Sequence, residues 1–370
     1  MYKTLEQINR ISAACVCGRM EIDMNTGQAK KVLSNFHRLE LGTFPTPLHQ
    51  LNNIRKKTGA PFPLYIKRDD LTGLGAGGNK IRNLEYLLGD AVQRRADVVI
   101  ASGKCQSNLC SLAVSACSKA DLDCVIIHND DKPERAEGNQ LLNSLSGADM
   151  RFIGDMPDRE REKYVEQFCR ELEEQNRHPY VIRNGASTAL GSLGYVQAVV
   201  ELCEQCAGRG IEIKHLFVPG GNGGLAAGGK FCREPSVLAA GVLFGTALVE
   251  APFHVHVVTV EHEKQELQEI LCGFIRDLQE LTGSLAGASF DDLYTIHEEY
   301  RGEGWGIPTP ESVDWIHDLA RTEGIFVEKV YTSKTLYGML DLIQKGSIDG
   351  SACYLHSGGF GALFSQFETL

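Results

Sequence analysis

The sequence predicts an α/β protein of two domains, each with a mainly parallel sheet that helices cover. Its 370 residues exceed the usual size of one domain. From about residue 64 onward, short β-branched runs alternate with segments of helical period, as in sheets whose strands are joined by crossover helices. The 39 glycines exceed the average usage of about 7%. Many follow predicted strands, where parallel sheets bind ligands.

Eight segments have the length, β-branched content and polar flanks of strands. These predicted strands are residues 64–67, 97–102, 123–128, 150–154, 180–183, 215–220, 254–262 and 352–356. Five segments between them repeat apolar residues at helical spacing. These predicted helices are residues 81–94, 109–120, 159–175, 190–206 and 263–281. The first 40 residues have helical patterning without a strand, so we predict an arm that packs on the body or on a second subunit.

Charge and composition exclude several classes of partner. A net charge of −11 without a Lys/Arg-rich run predicts no nucleic-acid partner, since phosphate contacts need a basic surface. The apolar runs are too short to span a bilayer, and the polar N-terminus lacks the apolar core of a signal peptide. We therefore expect a cytoplasmic protein whose 12 cysteines are reduced. Cys15 and Cys17 form a lone CxC pair, so no metal site is predicted.

A lysine stands at a predicted helix start in residues 66–87, IKRDDLTGLGAGGNKIRNLEYL. A strand ends in charged residues there, and a glycine-rich loop delivers Asn79 and Lys80 to the helix. The unpaired amides of a helix N-terminus favour the neutral amine of a lysine, which a Schiff-base nucleophile requires. The alternative is a surface lysine after a flexible loop.

Two further segments place anion-binding groups after strands. In residues 102–116, SGKCQSNLCSLAVSA, Gln106, Ser107 and Asn108 begin a helix and suit a carboxylate, unless Ser107 or Asn108 only caps that helix. In residues 218–229, VPGGNGGLAAGG, the backbone N–H groups suit a phosphate. A dinucleotide-binding loop is the competing interpretation, and it lacks the acidic residue expected about 20 residues later.

The C-terminal quarter contains two more junctions. Residues 304–340 predict helix, short strand and helix, which puts Tyr331 and Thr332 at a strand-to-helix junction. Tyr331 can equally be a core tyrosine. Residues 354–364, YLHSGGFGALF, predict a strand that leads through small residues into a helix.

In their order and spacing, these motifs resemble one family over about residues 40–367. It is the D-cysteine desulfhydrase and 1-aminocyclopropane-1-carboxylate deaminase family. The resemblance rests on FPTPL (44–48), IKRDDLTGLGAGGNK (66–80), QSN (106–108), NGASTALGSLGYV (184–196), the glycine loop 220–224, GIPTP (306–310), VYTSKTLYGMLDLI (330–343) and LHSGG (355–359). It implies pyridoxal 5′-phosphate (PLP) as coenzyme, the tryptophan-synthase-β fold (PLP fold type II) and a homodimer. We accordingly expect a helical arm over residues 1–40, a large cofactor-binding domain over 41–82 and 197–370, and a small domain over 83–196.

The resemblance also implies residue roles. Lys80 corresponds to the lysine that forms the Schiff base and moves the α-proton, and Tyr331 to a tyrosine near the reacting carbon. Asn108 corresponds to the asparagine bonded to the coenzyme 3′-hydroxyl, and Ser107 with Gln106 to the residues that hold the substrate carboxylate. The expected catalytic residues are Lys80, Tyr331 and Ser107. The remaining expected coenzyme contacts are Asn79, Gly220, Gly221, Asn222, Gly223, Gly224, Thr332 and Ser357, of which Thr332 and Ser357 are expected near the pyridine nitrogen. The expected substrate contacts are Gln106, Ser107, Trp305, Tyr331 and Lys104.

The reaction implied is α,β-elimination on a small amino acid, with release of ammonia and a 2-oxo acid. A hydroxyl at Thr332 implies an unprotonated pyridine nitrogen, a weaker electron sink that suits a leaving group such as a thiol. The deaminase branch has a glutamate after the tyrosine, and its absence here argues against cyclopropane ring opening. Ring-opening deamination, β-replacement, racemisation and non-catalytic PLP binding remain as alternatives.

Several positions depart from the family pattern. Leu109 and Ser111 replace a histidine and an arginine, and Trp305 replaces a tyrosine that flanks the substrate. Leu225 replaces a threonine of the phosphate loop, and one lost side-chain hydrogen bond is worth about 0.5–1.5 kcal/mol. Lys104 stands where a small apolar residue is usual. Together with Arg301 it can favour a substrate with a second anionic group, unless both side chains are solvated.

Overall fold

The computed structural model describes residues 25–221 and 237–366. The strands are β1 (Leu48–Gln50), β2 (Leu64–Arg68), β3 (Val98–Ser102), β4 (Asp123–His128), β5 (Asp149–Phe152), β6 (Pro179–Ile182), β7 (His215–Gly220), β8 (His254–Thr259), β9 (Tyr294–His297) and β10 (Ala352–His356). The helices are α1 (25–33), α2 (Asn52–Thr58), α3 (Lys80–Gln93), α4 (Asn108–Ala120), α5 (Gly138–Leu145), α6 (Asp158–Glu174), α7 (Ala189–Arg209), α8 (Val237–Leu248), α9 (Lys264–Thr282), α10 (Pro310–Glu323), α11 (Thr332–Gln344) and α12 (Phe360–Leu363).

The strands form two sheets, and the predicted α/β class is confirmed. One sheet has the strand order β5-β4-β3-β6 and is parallel throughout. The other has the order β1-β2-β10-β7-β8-β9, in which only β1 runs antiparallel to its neighbour. Buried apolar side chains cover the central strands, such as Val99 and Ile100 in β3 and Val257 and Val258 in β8. This continuous burial is typical of parallel sheets with helices on both faces.

All eight predicted strands and all five predicted helices are present, with ends displaced by up to three residues. The sequence analysis missed β9 and also β1, whose three residues are too few to show a period. It also missed α8, whose 12 residues are buried along almost their whole length and therefore lack an amphipathic pattern. In the described ranges, no helix is both long and apolar enough to cross a membrane.

The prediction of a short strand before Tyr331 is wrong. Residues 324–331 form an irregular segment between α10 and α11. The Glu328 carboxylate accepts the backbone N–H groups of Val330 and Tyr331 at 2.7 and 2.8 Å, so these donors are not available to a sheet. The strand predicted at 352–356 does lead through small residues into α12, as expected.

Helix α1 packs on the body of the protein. Ala29 and Leu33 are buried in the same apolar cluster as Leu193 and Val196 of α7, and Lys30 pairs with Glu204. This helix and residues 34–40, which are not helical, are the described part of the predicted arm. Residues 1–24 of that arm lie outside the described ranges.

A buried polar network joins β2, α3 and α7 beneath the glycine-rich loop. The Arg82 guanidinium donates to both carboxylate oxygens of Asp69 at 2.7 and 2.8 Å and to Glu201 at 3.1 and 3.2 Å. Lys67 pairs with Glu201 and donates to the Thr46 carbonyl at 2.7 Å. Because Arg82 follows Lys80 by two residues, the network fixes the start of α3 against the larger sheet.

Candidate active site

A cavity of about 1330 Å³ lies where several strands end. Its wall includes residues that follow β3, β4, β6, β7 and β10. Because these strands are parallel within their sheets, their carboxyl ends share an edge, which is where open α/β sheets bind ligands. Both sheets therefore contribute loops to one cavity.

Several helices begin at this cavity, among them α3, α4, α6 and α11. The first-turn or capping residues Lys80, Asn108, Asp158 and Tyr331 all line it. The N-termini of α3, α4 and α6 carry amide groups without a helical acceptor and the positive end of the helix dipole. At α11 the Glu328 carboxylate accepts these amide groups. The cavity therefore suits an anionic ligand such as a phosphate or a carboxylate.

Lys80 is the first residue of α3, and its amine lies in the cavity wall. The Nζ atom donates a hydrogen bond to the Gly185 carbonyl at 2.7 Å. Gly185 follows β6, so this contact connects the helix start to the smaller sheet. The structure thus places Lys80 in the cavity and not on an open surface.

Two glycine-rich turns meet beside Lys80. A Cβ atom on Gly358 would lie 2.6 Å from the Gly78 Cα, and both glycines have positive φ, +109° and +134°. Only glycine accommodates both the contact and the backbone conformation. The adjacent Asn79 N–H donates to the Ser357 carbonyl at 2.8 Å. This contact brings Asn79 and Ser357, two predicted coenzyme contacts, to the same wall.

The predicted QSN motif lies at the start of α4, and all three residues line the cavity. The Ser107 hydroxyl caps the helix by accepting the Cys110 N–H at 3.3 Å, so the capping role considered for it is present. The Gln106 amide bonds to Asn139 N and to the Glu137 carbonyl. Its side chain therefore anchors the start of α5.

Asn139 orients the Asn108 side chain. Its Nδ2 group donates to Asn108 Oδ1 and to the Gln106 carbonyl, both at 2.9 Å. Because the Asn108 oxygen is the acceptor in this contact, its NH₂ group is the end available to donate elsewhere. Asn139 is buried on α5, and sequence reasoning missed it because nothing near residue 139 marks a contact with residue 108.

Lys104 lines the cavity but carries little unbalanced charge. Its amine contacts Asp130 and Asp155 at 2.8 Å each and the Asn129 carbonyl at 2.7 Å. Desolvation alone would lower the pKa of Lys104, but these two carboxylates raise it above its ordinary value. Arg301 is not among the residues that line the cavity; it donates to the Glu261 carbonyl at 3.2 Å. The pair therefore adds no excess positive charge to the cavity wall.

Tyr331 and Trp305 meet in the cavity wall. The Trp305 Nε1–H donates to the Tyr331 hydroxyl oxygen at 2.8 Å. Both residues were predicted at the substrate, and the structure brings them into direct contact across 26 residues of sequence. Leu109 also lines the cavity, where the resemblance expects a histidine.

Glu328 is a cavity residue that sequence reasoning missed. It is buried, and its carboxylate caps α11 by accepting N–H groups of residues 330, 331 and 332 at 2.7–2.9 Å. Burial raises the pKa of Glu328, although these backbone hydrogen bonds oppose the shift. The Thr332 hydroxyl accepts the Glu328 N–H at 2.7 Å and does not line the cavity. The predicted contact between Thr332 and the coenzyme stays a prediction.

The predicted phosphate loop is only partly described. Gly221 lines the cavity, and Gly220 ends β7 beside it. The predicted residues Asn222, Gly223 and Gly224, and the departure at Leu225, lie outside the described ranges.

One cysteine thiol, that of Cys105, also lines the cavity. Burial and the nearby Asp130 raise the pKa of the Cys105 thiol to about 12, which keeps this cavity residue protonated. Within residues 25–221 and 237–366, no group of three or more His, Cys, Asp or Glu side chains is arranged to hold a metal ion. Cys15 and Cys17 lie outside these ranges.

Comparison with known proteins identifies the family. The chain is 35% identical over 340 residues to a putative 1-aminocyclopropane-1-carboxylate deaminase of Pyrococcus furiosus, covering 91% of this chain and 96% of the relative. It is 31% identical over 343 residues to the D-cysteine desulfhydrase of Salmonella paratyphi C, covering 90% and 97%. The crystal structure of an ACC deaminase homologue matches with a TM-score of 0.80 and 33% identity, covering 92% and 97%.

These matches confirm the resemblance found in the motifs. The model of the family described as pyridoxal-phosphate dependent enzyme matches residues 39–358. This range contains Lys80, both sheets and most of the cavity wall. The chain therefore belongs to the pyridoxal-phosphate-dependent enzyme family, and pyridoxal phosphate is its coenzyme.

Proposed function

We propose that this enzyme eliminates a β-substituent, such as a thiol, from a small amino acid and releases ammonia and a 2-oxo acid. The observation that carries the proposal is the Lys80 amine in a cavity at which several helices begin, with Tyr331 in the same wall. The similarity to a D-cysteine desulfhydrase supports a sulfur leaving group.

The cavity residues fit pyridoxal phosphate. Lys80 offers an amine, the N-termini of α3, α4 and α6 favour an anion, and the contact between Gly78 and Gly358 leaves no room for side chains at that wall. We assign Lys80, Asn79, Asn108 and Ser357 to the coenzyme. We also assign Gly220, Gly221 and the loop residues 222–224 to its phosphate.

Bound pyridoxal phosphate supplies an electron sink for the pair left when the substrate loses its α-proton. In our proposal the Lys80 amine takes that proton. Ser107 and the start of α4 receive the substrate carboxylate, and Tyr331 protonates the leaving group as a general acid. Trp305 and Gln106 shape the substrate side of the cavity. Lys104, neutralised by Asp130 and Asp155, serves to hold the adjacent loop.

Ring-opening deamination is the second candidate. It is favoured by the 35% identity to a putative 1-aminocyclopropane-1-carboxylate deaminase. It is opposed by position 332, where a threonine follows Tyr331 in place of the expected glutamate. β-Replacement, racemisation and non-catalytic binding have no comparable support.

We propose further that the enzyme acts in the cytoplasm as a homodimer. Cysteines 105, 110, 117, 124, 169, 203, 206, 272 and 353 are free thiols, which agrees with a reducing compartment. The two sheets agree with the proposed division into domains. The sheet of β3 to β6 lies in the small domain (83–196), and the other sheet lies in the large domain (41–82 and 197–370).

The first test concerns Lys80. We expect the purified protein to turn yellow with added pyridoxal phosphate, and the Lys80→Ala variant to lose both the colour and all turnover. Lys329→Ala, which changes another cavity lysine, is the matched control and should keep the colour. An undiminished rate in Lys80→Ala would reject the proposal.

The reaction type is tested by products. Purified enzyme is given D- and L-cysteine, serine and 1-aminocyclopropane-1-carboxylate, and sulfide, ammonia, 2-oxo acid and stereochemical inversion are measured. Sulfide with 2-oxo acid supports elimination. A 2-oxo acid from the cyclopropane substrate alone would transfer the proposal to the second candidate, and inversion without 2-oxo acid would indicate racemisation.

A further inference from the structure

Trp305 fixes the direction of one hydrogen bond at Tyr331. An indole N–H can donate but its nitrogen cannot accept, so in the 2.8 Å contact the Tyr331 oxygen is the acceptor. The hydroxyl hydrogen of Tyr331 therefore points away from Trp305. A tyrosine at position 305, as the resemblance expects, would both donate and accept, and would leave either direction open.

The segment that carries Trp305 is rich in glycine. Gly302, Gly304 and Gly306 have positive φ values of +63°, +125° and +80°. Glycines give the unfolded backbone many accessible conformations, so ordering this segment costs more entropy than ordering other residue types. The position of the indole must therefore come from contacts that restrain this segment.

Lys334 supplies such contacts. Its side chain is buried, and its Nζ donates to the carbonyls of Arg301 and Gly304 at 2.6 and 2.7 Å. Lys334 lies three residues after Tyr331, on the first turn of α11. One helical turn thus holds both the tyrosine and the segment that delivers its hydrogen-bond donor.

We propose that Lys334 and Trp305 are positioning residues that keep the Tyr331 hydroxyl oriented as a proton donor toward the substrate. This inference rests on the proposed elimination. There, the Tyr331 O–H bond breaks, an S–H bond forms on the leaving thiolate, and the negative charge moves to the Tyr331 oxygen until solvent returns a proton. The Trp305 N–H already points at that oxygen and stabilises the charge without rearrangement.

The hydrogen bond is tested directly by NMR of the coenzyme-loaded enzyme with isotope-labelled tryptophan. The chain has two tryptophans, so two indole N–H signals are expected, and Trp315→Phe assigns them. Tyr331→Phe and Lys334→Met should both move the Trp305 signal upfield and speed its exchange with solvent. Lys345→Met, an exposed change at the C-terminal end of the same helix, should leave it in place. If the chemical shift and solvent exchange of the Trp305 N–H are unchanged in Tyr331→Phe, the inference is overturned, whatever the enzyme's activity.

Kinetics give the second test. Trp305→Phe removes the donor, so kcat should fall about two- to tenfold, the effect of one hydrogen bond, while KM stays within about twofold. Trp305→Tyr restores a donor and should recover most of kcat. Should Lys334→Met not fold, these two variants still decide. A rise in KM at constant kcat would show that Trp305 only shapes the substrate site and would reject the positioning role. Failure of the proposed function itself is recognised separately, by the product assays and the Lys80→Ala test.

Discussion

At the scale of single residues, the cavity depends on side chains that hold other side chains. Asn139 is the clearest example, since it reaches from α5 to fix the Asn108 amide on α4. We expect Asn139→Leu to weaken pyridoxal phosphate binding about two- to tenfold, because Asn108 loses one orienting hydrogen bond. The yellow Lys80 chromophore should persist at saturating coenzyme. The affinity is measured by titrating pyridoxal phosphate into protein from which the coenzyme has just been removed.

The control for this prediction lies one turn further along α5. Asn143 is also buried, and neither of its side-chain polar atoms has a hydrogen-bond partner within the described residues. Asn143→Leu removes a polar group without breaking a contact, so it should leave coenzyme affinity unchanged and the protein equally or more stable. Equal loss of affinity in both variants would mean that α5 itself, and not the Asn108 contact, is responsible.

At the scale of elements, the helix that carries Lys80 is placed by close packing against α7. A Cβ atom on Gly194 would lie 2.3 Å from the Arg82 carbonyl oxygen of α3. We therefore expect Gly194→Ala to push α3 away and to lower the free energy of unfolding by about 1–3 kcal/mol. Coenzyme affinity should fall with it, because Lys80 is on the displaced helix. The urea midpoint and a coenzyme titration measure the two effects.

Gly208 provides a control on the same helix. An added Cβ there meets nothing within 4 Å. Gly208→Ala should therefore stabilise α7 by about 0.5–1 kcal/mol through lower backbone entropy, with unchanged coenzyme affinity. If the two alanine variants behave alike, the contact between α3 and α7 is not tight in solution.

At the scale of the whole molecule, the buried network of Arg82, Asp69, Glu201, Lys67 and Thr46 connects the larger sheet to α3 and α7. Burial alone would raise the pKa of Asp69, but the Arg82 guanidinium holds it below its ordinary value. A carboxyl with a depressed folded pKa contributes stability above its unfolded pKa of about 3.9 and loses it as the pH falls through the folded value. The contribution of the Asp69 carboxylate is therefore fully present at neutral pH.

Removing the guanidinium should reverse this pH dependence. In Arg82→Met the buried Asp69 carboxylate has lost its strongest partner, so its folded pKa rises above the unfolded one. We expect a loss of about 3–5 kcal/mol at neutral pH. The deficit should shrink toward about pH 4, where Asp69 takes up a proton. Urea unfolding across this range measures the deficit. The control is Arg94→Met, which breaks an exposed pair with Asp90 and should lower the free energy of unfolding by less than about 1 kcal/mol at every pH. A deficit in Arg82→Met that does not change with pH would contradict the assigned charges.

The sequence by itself determined the fold class, eight of the strands and the family of this protein. These features are local, because each β-branched run, helical period or motif such as GGNK or QSN is contained in a short stretch of sequence. Lys80, Ser107 and Tyr331, which line one cavity, could be named from the sequence for the same reason, since each lies within or beside such a motif. Short strands such as β1, and the uniformly apolar α8, gave no readable period.

Only the tertiary structure decided which side chains meet. Asn139 is 31 residues from Asn108, Trp305 is 26 residues from Tyr331, and Arg82 is 119 residues from Glu201. No local pattern encodes such pairs, because a hydrogen bond depends on how separate elements pack and not on their spacing in the chain. The same holds for Lys104, whose charge is balanced by Asp130 and Asp155 from two other loops. The local sequence determines which polar groups are present at the site. The packing of separate elements determines which groups they contact and how their charges are balanced.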